Sequence, residues 1–420
     1  MTDAEIHIVH AADIHLDSPL RGLGRLCDDD LANRLRLATR TAFDNLIRHC
    51  LKSAPDALIL AGDLYDGDWR DYSTGVYFTD RMRDLDEAGI PVVLVQGNHD
   101  AESVISRSLT LPSNVTRLRT DQPQTKVFED SGLAVHGQGF ATKAVSANLA
   151  VDYPAPVPGL VNVGVLHTSV QGYANHDPYA PCSVAELTGR GYEYFALGHV
   201  HTRQVLAGGR TTVAFSGNLQ GRHPRELGPK GALDVRLSPG GVAEVDFVAL
   251  DVARWELVEV DVSDAGDESE AFDLVDAAVG RTREHAGTRP VVARVTLVGT
   301  SSLAGRLADT TAVGHEIRPR AARHEVAIDR IRSQVAAPLN RRQMPATQRL
   351  SLEAEIAGMI TDPAALKADG SLKPDLDALA AEVSQYTRGV EPDLTSAGQF
   401  ADLVAEACQR LLAKADAGRL

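Results

Sequence analysis

The sequence predicts an α/β fold: a four-layer α-β-β-α sandwich, followed by a small α/β domain and a helical C-terminal region. In the first hundred residues, short apolar segments alternate with amphipathic segments of helical period, which is typical of parallel strands joined by helices. Between residues 211 and 250 three more strand-like segments follow closely, which indicates a second sheet packed against the first. We therefore assign residues 1–250 to the sandwich, 251–325 to the small domain and 326–420 to the helical region.

The length and composition are those of a globular protein of two or three domains. The chain has 420 residues, of which 44% are hydrophobic and 24% are charged. No apolar stretch approaches the roughly 20 residues that span a bilayer, and the first residues lack the pattern of a signal peptide. We expect a cytoplasmic protein with no membrane partner. Four widely spaced cysteines favour reduced, structural thiols; these are Cys27, Cys50, Cys182 and Cys408.

The elements of the first sheet follow one another along the chain. Residues 5–12 form the first predicted strand, and 57–61 and 91–95 the next two. Apolar residues at spacings of three and four predict helices over 28–53 and 74–86, the latter with Val76, Phe78, Met82 and Leu85 on its buried side.

The remaining predicted elements complete the sandwich and the small domain. The strands predicted for the rest of the sandwich are 133–136, 161–166, 192–197, 211–215, 232–237 and 245–250. In the small domain, strands at 255–262 and 290–298 flank a helix at 270–283. A last amphipathic helix, 396–415, packs on its own domain or, as the alternative, docks on a partner.

Side chains of metal-ligand type follow several of these strands, at the carboxyl edge where α/β sheets bind ligands. The candidate ligands are Asp13, His15, Asp63, Asn98, His167, His199 and His201. All are oxygen or nitrogen donors, a set that suits manganese, iron or zinc. In extended backbone, Asp13 and His15 would point to one side, as would His199 and His201. Taken alone, the Asp13-x-His15 motif fits a capped turn with a surface histidine as well as it fits a metal site.

The candidate set predicts a binuclear hydrolase centre. Two divalent ions about 3.5–4 Å apart clamp a phosphoryl group, and we choose Asp63 as the shared carboxylate. Two dications with two carboxylates, Asp13 and Asp63, leave a charge of about +2, which attracts a phosphate ester and makes a bridging hydroxide available near neutral pH. This local charge matters because the net charge of −15 argues against binding polyanions over the whole surface.

Other polar residues near the ligands have candidate roles in catalysis or substrate binding. His99 follows Asn98 and could protonate a leaving group or donate to a phosphate oxygen. Asp100 could orient His99 by accepting its hydrogen bond; alternatively, it is only a helix N-cap. Downstream basic residues are candidates for DNA backbone contacts, with ordinary solvated charge as the alternative. They are Arg203, Arg222 and Arg225.

Taken together, these motifs resemble the calcineurin-like metallophosphoesterase superfamily over residues 5–250. Asp-x-His, Gly-Asp, Gly-Asn-His-Asp, a lone His and Gly-His-x-His occur here in that order. Residues 62–66, 194–201 and 216–218 are similar to SbcD/YhaO-type DNA repair exonucleases, and Asp17-Ser18-Pro19-Leu20 looks more like the YhaO-type branch.

The resemblance implies a ligand distribution and a DNA substrate. One metal would take Asp13, His15, Asp63 and His201, and the other Asp63, Asn98, His167 and His199. Members of that family use manganese and cleave DNA phosphodiesters. For this chain we therefore expect two divalent ions, manganese first, with iron or zinc as alternatives. Residues 251–325 would then cap the site, and the C-terminal helices would bind an SbcC-like coiled-coil ATPase.

The leading hypothesis is thus a two-metal-dependent DNA exonuclease of DNA repair with an SbcC-type ATPase partner. One alternative is a phosphodiesterase or phosphatase for a small nucleotide or phosphoprotein. Another is a non-catalytic scaffold subunit of an ATPase complex. The sequence does not decide the oligomeric state, and a homodimer is one alternative.

Overall fold

The computed structural model describes residues 5–18, 34–66, 72–102, 110–170 and 179–338. The chain divides into two compact units. The first comprises residues 1–256, 282–293 and 325–329, and the second 257–281, 294–324 and 330–420, each within its described part.

The first sheet of the first unit is mixed. Four parallel strands, β1 (Ile6–Ala11), β2 (Ala57–Leu60), β3 (Val92–Leu94) and β4 (Val115–Arg117), lie side by side in that order. On the other side of β1, the antiparallel strands β11 (Gly231–Ser238) and β12 (Gly241–Ala249), which we expected in the second sheet, complete the six strands because β11 pairs with β1. Helices α1 (Ala38–Ser53) and α2 (Tyr72–Glu87) make the crossovers between β1, β2 and β3.

The second sheet also has six strands, in the order β5-β6-β7-β8-β10-β9. Its strands are β5 (Gln124–Phe128), β6 (Leu133–Gly137), β7 (Val161–His167), β8 (Tyr194–Gly198), β9 (Gln204–Ala207) and β10 (Thr212–Phe215). Strands β6, β7, β8 and β10 are parallel, whereas β5 and β9 are antiparallel edges. The 3₁₀ turn (Leu149–Asp152) lies between β6 and β7, and helix α4 (Val184–Thr188) lies between β7 and β8. Helix α3 (Asn98–Glu102) lies between β3 and β4 of the first sheet.

The two sheets pack face to face through one apolar core. Alternate residues of β1 and β2, such as Ile8 and Ile59, point inward to meet Val135, Val163 and Ala196 of the second sheet. The other face of the first sheet packs on α1 and α2, whose buried residues include Phe43 and Met82. The other face of the second sheet packs on the 3₁₀ turn and α4. The predicted four-layer α-β-β-α sandwich is therefore correct, with short helical segments in its fourth layer.

The described chain after residue 250 contains a three-stranded sheet in the order β13-β14-β15. Its strands are β13 (Arg254–Asp261), β14 (Val291–Val298) and β15 (Val326–Ser333), and its helices are α5 (Glu268–Ala286), α6 (Ala304–Leu307) and α7 (Thr310–Arg323). The second half of strand β13 alternates, with Val258 and Val260 buried while Leu257 and Glu259 are exposed. This alternation is the pattern of a sheet with one covered face.

Several sequence expectations differ from the structure. Strand β15 lies in a segment that we expected to be helical; its first three residues, all apolar, are buried, which is typical of a buried strand. Val76 is 54% exposed rather than buried on α2. The predicted helix 396–415 lies outside the described residues. Among the helices of the described segments, none is long and apolar enough to cross a membrane.

Candidate metal centre

Four of the predicted ligands lie in loops with left-handed backbone. The φ angles are +51° at Asp13, +45° at His15, +52° at Asp63 and +104° at His199. Non-glycine residues rarely adopt such angles, and they concentrate at functional sites. The expectation that extended backbone aligns each Asp-x-His or His-x-His pair is therefore wrong. The side chains reach the same region because the chain turns sharply immediately after β1, β2 and β8.

Backbone hydrogen bonds join the first two ligand loops. Asp13 N–H donates to the Gly62 carbonyl at 3.0 Å, and His15 N–H donates to the Asp63 carbonyl at 3.0 Å. Gly62 has a φ of +95°, and a Cβ there would lie 2.4 Å from Nδ1 of His167. A side chain at this position would displace a predicted ligand, which explains the glycine before Asp63.

One cluster of donors consists of Asp13, His15 and His201, whose ligand atoms lie within 4.8 Å of one another. The Nε2 atoms of His15 and His201 are 3.3 Å apart. Nδ1 of His15 lies 3.1 Å from Asp66 Oδ1, and Nδ1 of His201 lies 2.5 Å from Glu226 Oε1. Because an ionised carboxylate only accepts, each Nδ1 carries the proton, and each Nε2 lone pair faces its neighbour.

A second cluster consists of Asp13, Asp63 and His167. Nε2 of His167 lies 3.4 Å from Asp63 Oδ2 and 3.0 Å from Asn98 Oδ1. Nδ1 of the same ring lies 3.0 Å from the carbonyl oxygen of Ala61, which can only accept. Asp63 Oδ2 is also 4.0 Å from Nε2 of His15 in the first cluster. Asp63 therefore lies between the two groups.

His199 adjoins the second cluster. Its ring stands edge-on to that of His167, with centroids 5.3 Å apart. Its backbone N–H donates to both carboxylate oxygens of Asp13, at 3.0 and 3.1 Å. A Cβ at the preceding Gly198 would lie 1.9 Å from the Ala61 carbonyl oxygen, so the close approach of these loops requires glycine there as well.

Burial and charge set the protonation of these groups. Burial raises the pKa of Asp13, and it lowers the pKa of His15 to about 3 with help from the Arg222 guanidinium. For His167, burial alone would lower the pKa, but the Asp63 and Asp13 carboxylates outweigh it and raise the pKa to about 9. Burial acts to raise the pKa of Asp63, yet the neighbouring imidazoles hold it below its ordinary value.

His99 is positioned differently from the predicted ligands. Its side chain is 38% exposed, whereas Asp13, His15 and His167 are almost fully buried. The His99 backbone N–H donates to Asp63 Oδ1 at 2.9 Å, so α3 begins against the second cluster. The His99 ring is therefore open to an incoming substrate while its backbone is tied to the centre.

Asp100 does not have the predicted contact with His99. Its carboxylate accepts from the backbone N–H groups of Tyr65 at 2.9 Å and Gly97 at 3.0 Å. Asp100 is the third residue of α3, so the contact with Gly97 is that of the third helical residue in a capping box and not that of an N-cap. Burial and Asp63 raise the pKa of Asp100 to about 7. The carboxylate that faces the His99 ring belongs to Asp66, with Oδ1 3.4 Å from Nδ1. The prediction that Asp100 orients His99 is therefore wrong, and Asp100 instead fixes the loops of Tyr65 and Gly97.

The three basic residues have different surroundings. The Arg222 guanidinium is 15% exposed and donates to Ser18 Oγ at 3.0 Å, with Asp66 Oδ2 at 3.5 Å. Arg203 is exposed and lies over the Phe247 ring, 4.3 Å from its centroid. Arg225 is exposed on the same loop as Arg222. The structure thus brings Arg222 to the centre and leaves the other two on the surface.

Sequence reasoning missed Asp66, Glu226 and Ser18. Asp66 lies three residues after Asp63 in a turn, and its spacing was the available signal. Glu226 accepts from Nδ1 of His201 across 25 positions that include β9 and β10, and no local pattern indicates this contact. Ser18 is a single hydroxyl in a turn, a residue type too common to stand out.

The donor set fits two divalent ions. Two nitrogens about 2.1 Å from one ion, at the angles of tetrahedral or octahedral sites, lie roughly 3.0–3.4 Å apart. The 3.3 Å between the Nε2 atoms of His15 and His201 agrees with this value. Carboxylates or carbonyls hold Nδ1 of three predicted ligand histidines, as in most protein metal sites. A cation bound at Nε2 of His167 would take the place of the proton that the Asp63 and Asp13 carboxylates favour on this ring.

The fold and the site define a metallophosphoesterase, and comparisons with known proteins agree. The model of the family described as Calcineurin-like phosphoesterase matches residues 6–203, and that described as Metallophosphoesterase YhaO, middle domain, matches residues 255–336. The chain belongs to the calcineurin-like phosphoesterase family, whose members are metal-dependent phosphoester hydrolases with two divalent metals.

Two relatives and one solved structure illustrate the similarity. The Bacillus subtilis protein described as "uncharacterized metallophosphoesterase YhaO" is 32% identical over 300 residues, which cover 71% of this chain and 72% of that protein. The Aeropyrum pernix DNA double-strand break repair protein Mre11 is 27% identical over 279 residues, covering 62% and 64%. A dimetal phosphatase from Danio rerio aligns over 58% of this chain and 99% of its own, with 11% identity and a TM-score of 0.34.

Proposed function

We propose that this protein is a two-metal-dependent DNA nuclease, specifically an exonuclease of DNA repair. The observation that supports a hydrolytic centre is the pair of adjacent donor clusters, with Asp13 in both clusters and Asp63 between them. The nuclease assignment draws on the similarity to Mre11, a DNA double-strand break repair protein, over 62% of the chain. The numerous buried donors and their hydrogen-bonded imidazoles also favour an intact catalytic site over a scaffold.

In this proposal the ligands divide between two ions. The first takes Asp13, His15, Asp63 and His201, and the second takes Asp63, Asn98, His167 and His199. Manganese is our first choice, with iron or zinc as alternatives, because the donors are oxygen and imidazole nitrogen without thiolate. Bound there, the two ions would supply positive charge for a phosphodiester and lower the pKa of a coordinated water.

The residues around the ions bind and orient the substrate and move a proton. His99, exposed at the edge of the centre, donates a proton to the leaving oxygen or a hydrogen bond to phosphate. Asp66 faces the Nδ1 side of its ring, which leaves Nε2 to face the substrate. Arg222 adds a guanidinium beside this pair that can contact a phosphate oxygen. Asp63 fixes the start of α3 through the His99 backbone.

We also propose partners for this activity. An SbcC-like coiled-coil ATPase would bind the C-terminal region, in keeping with the resemblance to SbcD-type chains. DNA would reach the centre past His99 and Arg222, and the surface residues Arg203 and Arg225 would contact its backbone. Co-purification with such an ATPase tests the first of these proposals.

The experiment that tests the function compares three substrates with and without Mn²⁺. End-labelled linear duplex DNA, a cyclic nucleotide and an aryl phosphodiester are incubated with the full chain. We expect Mn²⁺-dependent release of nucleotides from DNA ends, together with aryl hydrolysis. Hydrolysis of the cyclic nucleotide without DNA degradation would instead favour a small-nucleotide phosphodiesterase. No Mn²⁺-dependent hydrolysis of any substrate would refute the enzymatic proposal.

A further inference from the structure

The turn after His15 contains a dipeptide, Asp17-Ser18, that the proposed function leaves unexplained. The Ser18 N–H donates to the His15 carbonyl at 3.0 Å and closes the turn. Asp17 has a φ of +60°, a conformation that favours glycine. Here side-chain contacts hold it: Arg40 donates two hydrogen bonds of 2.5 Å to the Asp17 carboxylate, and Thr74 donates a third. The turn is thereby anchored to both α1 and α2.

The anchored turn places the Ser18 hydroxyl in a buried position between two charged groups. The hydroxyl donates to Asp66 Oδ2 at 2.7 Å and accepts from Arg222 Nη1 at 3.0 Å. Ser18 is only 5% exposed, so water cannot readily replace these contacts. One carboxylate oxygen of Asp66 is thus held by Ser18, with the Arg222 guanidinium 3.5 Å away.

The other oxygen of Asp66 faces two imidazoles at once. Oδ1 lies 3.1 Å from Nδ1 of His15 and 3.4 Å from Nδ1 of His99. The two rings stand edge to face with centroids 5.0 Å apart. The torsion that rotates an aspartate carboxylate is soft, so a contact on Oδ2 is needed to keep Oδ1 between both rings.

We propose that Ser18 is a positioning residue, which fixes the Asp66 carboxylate so that a single oxygen orients both a ligand-type imidazole and the imidazole of His99. This inference rests on the proposed function, in which His99 assists the leaving group. Loss of the hydroxyl then removes no donor of the centre but loosens the rings of both His15 and His99. The defect is greatest for substrates whose leaving oxygen needs a proton.

The test compares wild type, Ser18→Ala and Thr211→Ala on two phosphodiesters. Thr211 is the matched control, because its buried hydroxyl donates to the Tyr192 carbonyl at 2.7 Å away from the centre. Both variants are first examined for Mn²⁺ stoichiometry by calorimetry and for thermal unfolding. Turnover is then measured on DNA, with its poor alkoxide leaving group, and on bis(4-nitrophenyl) phosphate, whose leaving group needs no proton.

We expect Ser18→Ala to lower kcat on DNA by about tenfold or more, because it loses part of the ~10²–10⁴-fold acceleration that general acid catalysis supplies. On the aryl ester, kcat should fall by less than about twofold. Mn²⁺ stoichiometry should be unchanged. Thr211→Ala should lower both rates equally or not at all. An equal loss on both substrates with Ser18→Ala, or no loss on either, would overturn the proposal. If Ser18→Ala does not fold, Ser18→Cys, a nearly isosteric weak donor, should give the same split.

Failure of the proposed function can be told apart from failure of this inference. Absence of wild-type hydrolysis on both esters would refute the function alone. The ¹⁵N resonances of the His15 and His99 imidazoles then report on Asp66 directly. Both resonances should shift in Ser18→Ala and stay unchanged in Thr211→Ala; unshifted resonances in Ser18→Ala would refute the positioning role.

Discussion

The Nε2 atoms of His15 and His201 lie 3.3 Å apart, although 186 positions separate these residues in the chain. The contact exists because β1 of the first sheet and β8 of the second end at the same edge of the sandwich. Each ring is held from behind by a carboxylate, Asp66 or Glu226. Two histidines arranged in this way are suited to share one cation.

Replacing His99 should separate catalysis from metal binding. His99→Ala removes an exposed imidazole that is not among the proposed ligands, so both ions should remain bound. We expect hydrolysis of DNA to fall by about 10²–10⁴-fold. Steady-state kinetics together with the metal content of the purified variant checks this result. Unchanged turnover would show that His99 has no catalytic role, and loss of metal would place it among the ligands.

Glu226 should strengthen metal binding through His201. Glu226→Gln weakens the hydrogen bond that holds Nδ1, and we expect Mn²⁺ affinity to fall by about 10–100-fold. Glu193→Gln is the matched control, since Glu193 is also buried but accepts from the Asn162 backbone N–H. Isothermal titration calorimetry on both variants gives the affinities. An equal effect from both substitutions would assign the loss to general destabilisation.

Metal binding should stabilise the folded chain. A ligand that binds only the native state contributes about 2.7 kcal/mol when its free concentration is 100-fold above Kd. We therefore expect the Tm of wild type to rise on addition of Mn²⁺ and to fall back with EDTA. His201→Ala, which removes a proposed ligand, should show a smaller rise at the same Mn²⁺ concentration. A rise equal to that of wild type would remove His201 from the ligand set.

A buried histidine between the sheets should make the fold sensitive to acid. Burial lowers the pKa of His10 from 6.5 to about 3, while Nδ1 contacts Tyr194 Oη at 2.9 Å. Between these pH values the unfolded chain binds a proton that the folded chain does not. Stability is therefore complete above pH 6.5 and is lost as pH falls toward 3, by at most about 1.4 kcal/mol per unit from this group. His10→Gln should show a shallower slope in urea unfolding from pH 6.5 to 4, with no change of slope above pH 7. An unaltered slope at low pH would show that His10 is not the source.

The fold could be predicted from the sequence wherever the pattern was local. Strands β1, β2, β3, β7 and β8 are apolar runs that end in polar residues, and the structure has them within a few residues of the prediction. Strands β4, β5 and β9 are short and half-exposed, so neither an apolar run nor a clean alternation identified them. Strand β15 follows a helix without a glycine or proline break.

At the site, residue types were predictable but backbone geometry and long-range contacts were not. The sequence indicated which side chains gather at the strand ends because parallel strands share that edge. It could not indicate the left-handed conformations of Asp13 and Asp63, which depend on hydrogen bonds between separate loops. For the same reason the sequence indicates Asp100 as the partner of His99, whereas the structure has Asp66 in that place: adjacency in sequence is visible, and contact between separate loops is not.

Anomalous X-ray diffraction at the manganese edge, on crystals grown with Mn²⁺, tests the central claim most directly. We predict two peaks about 3.5–4 Å apart with the Asp63 carboxylate between them, one beside His15 and His201 and the other beside Asn98 and His167. One peak only, or two peaks that do not share Asp63, would contradict the account.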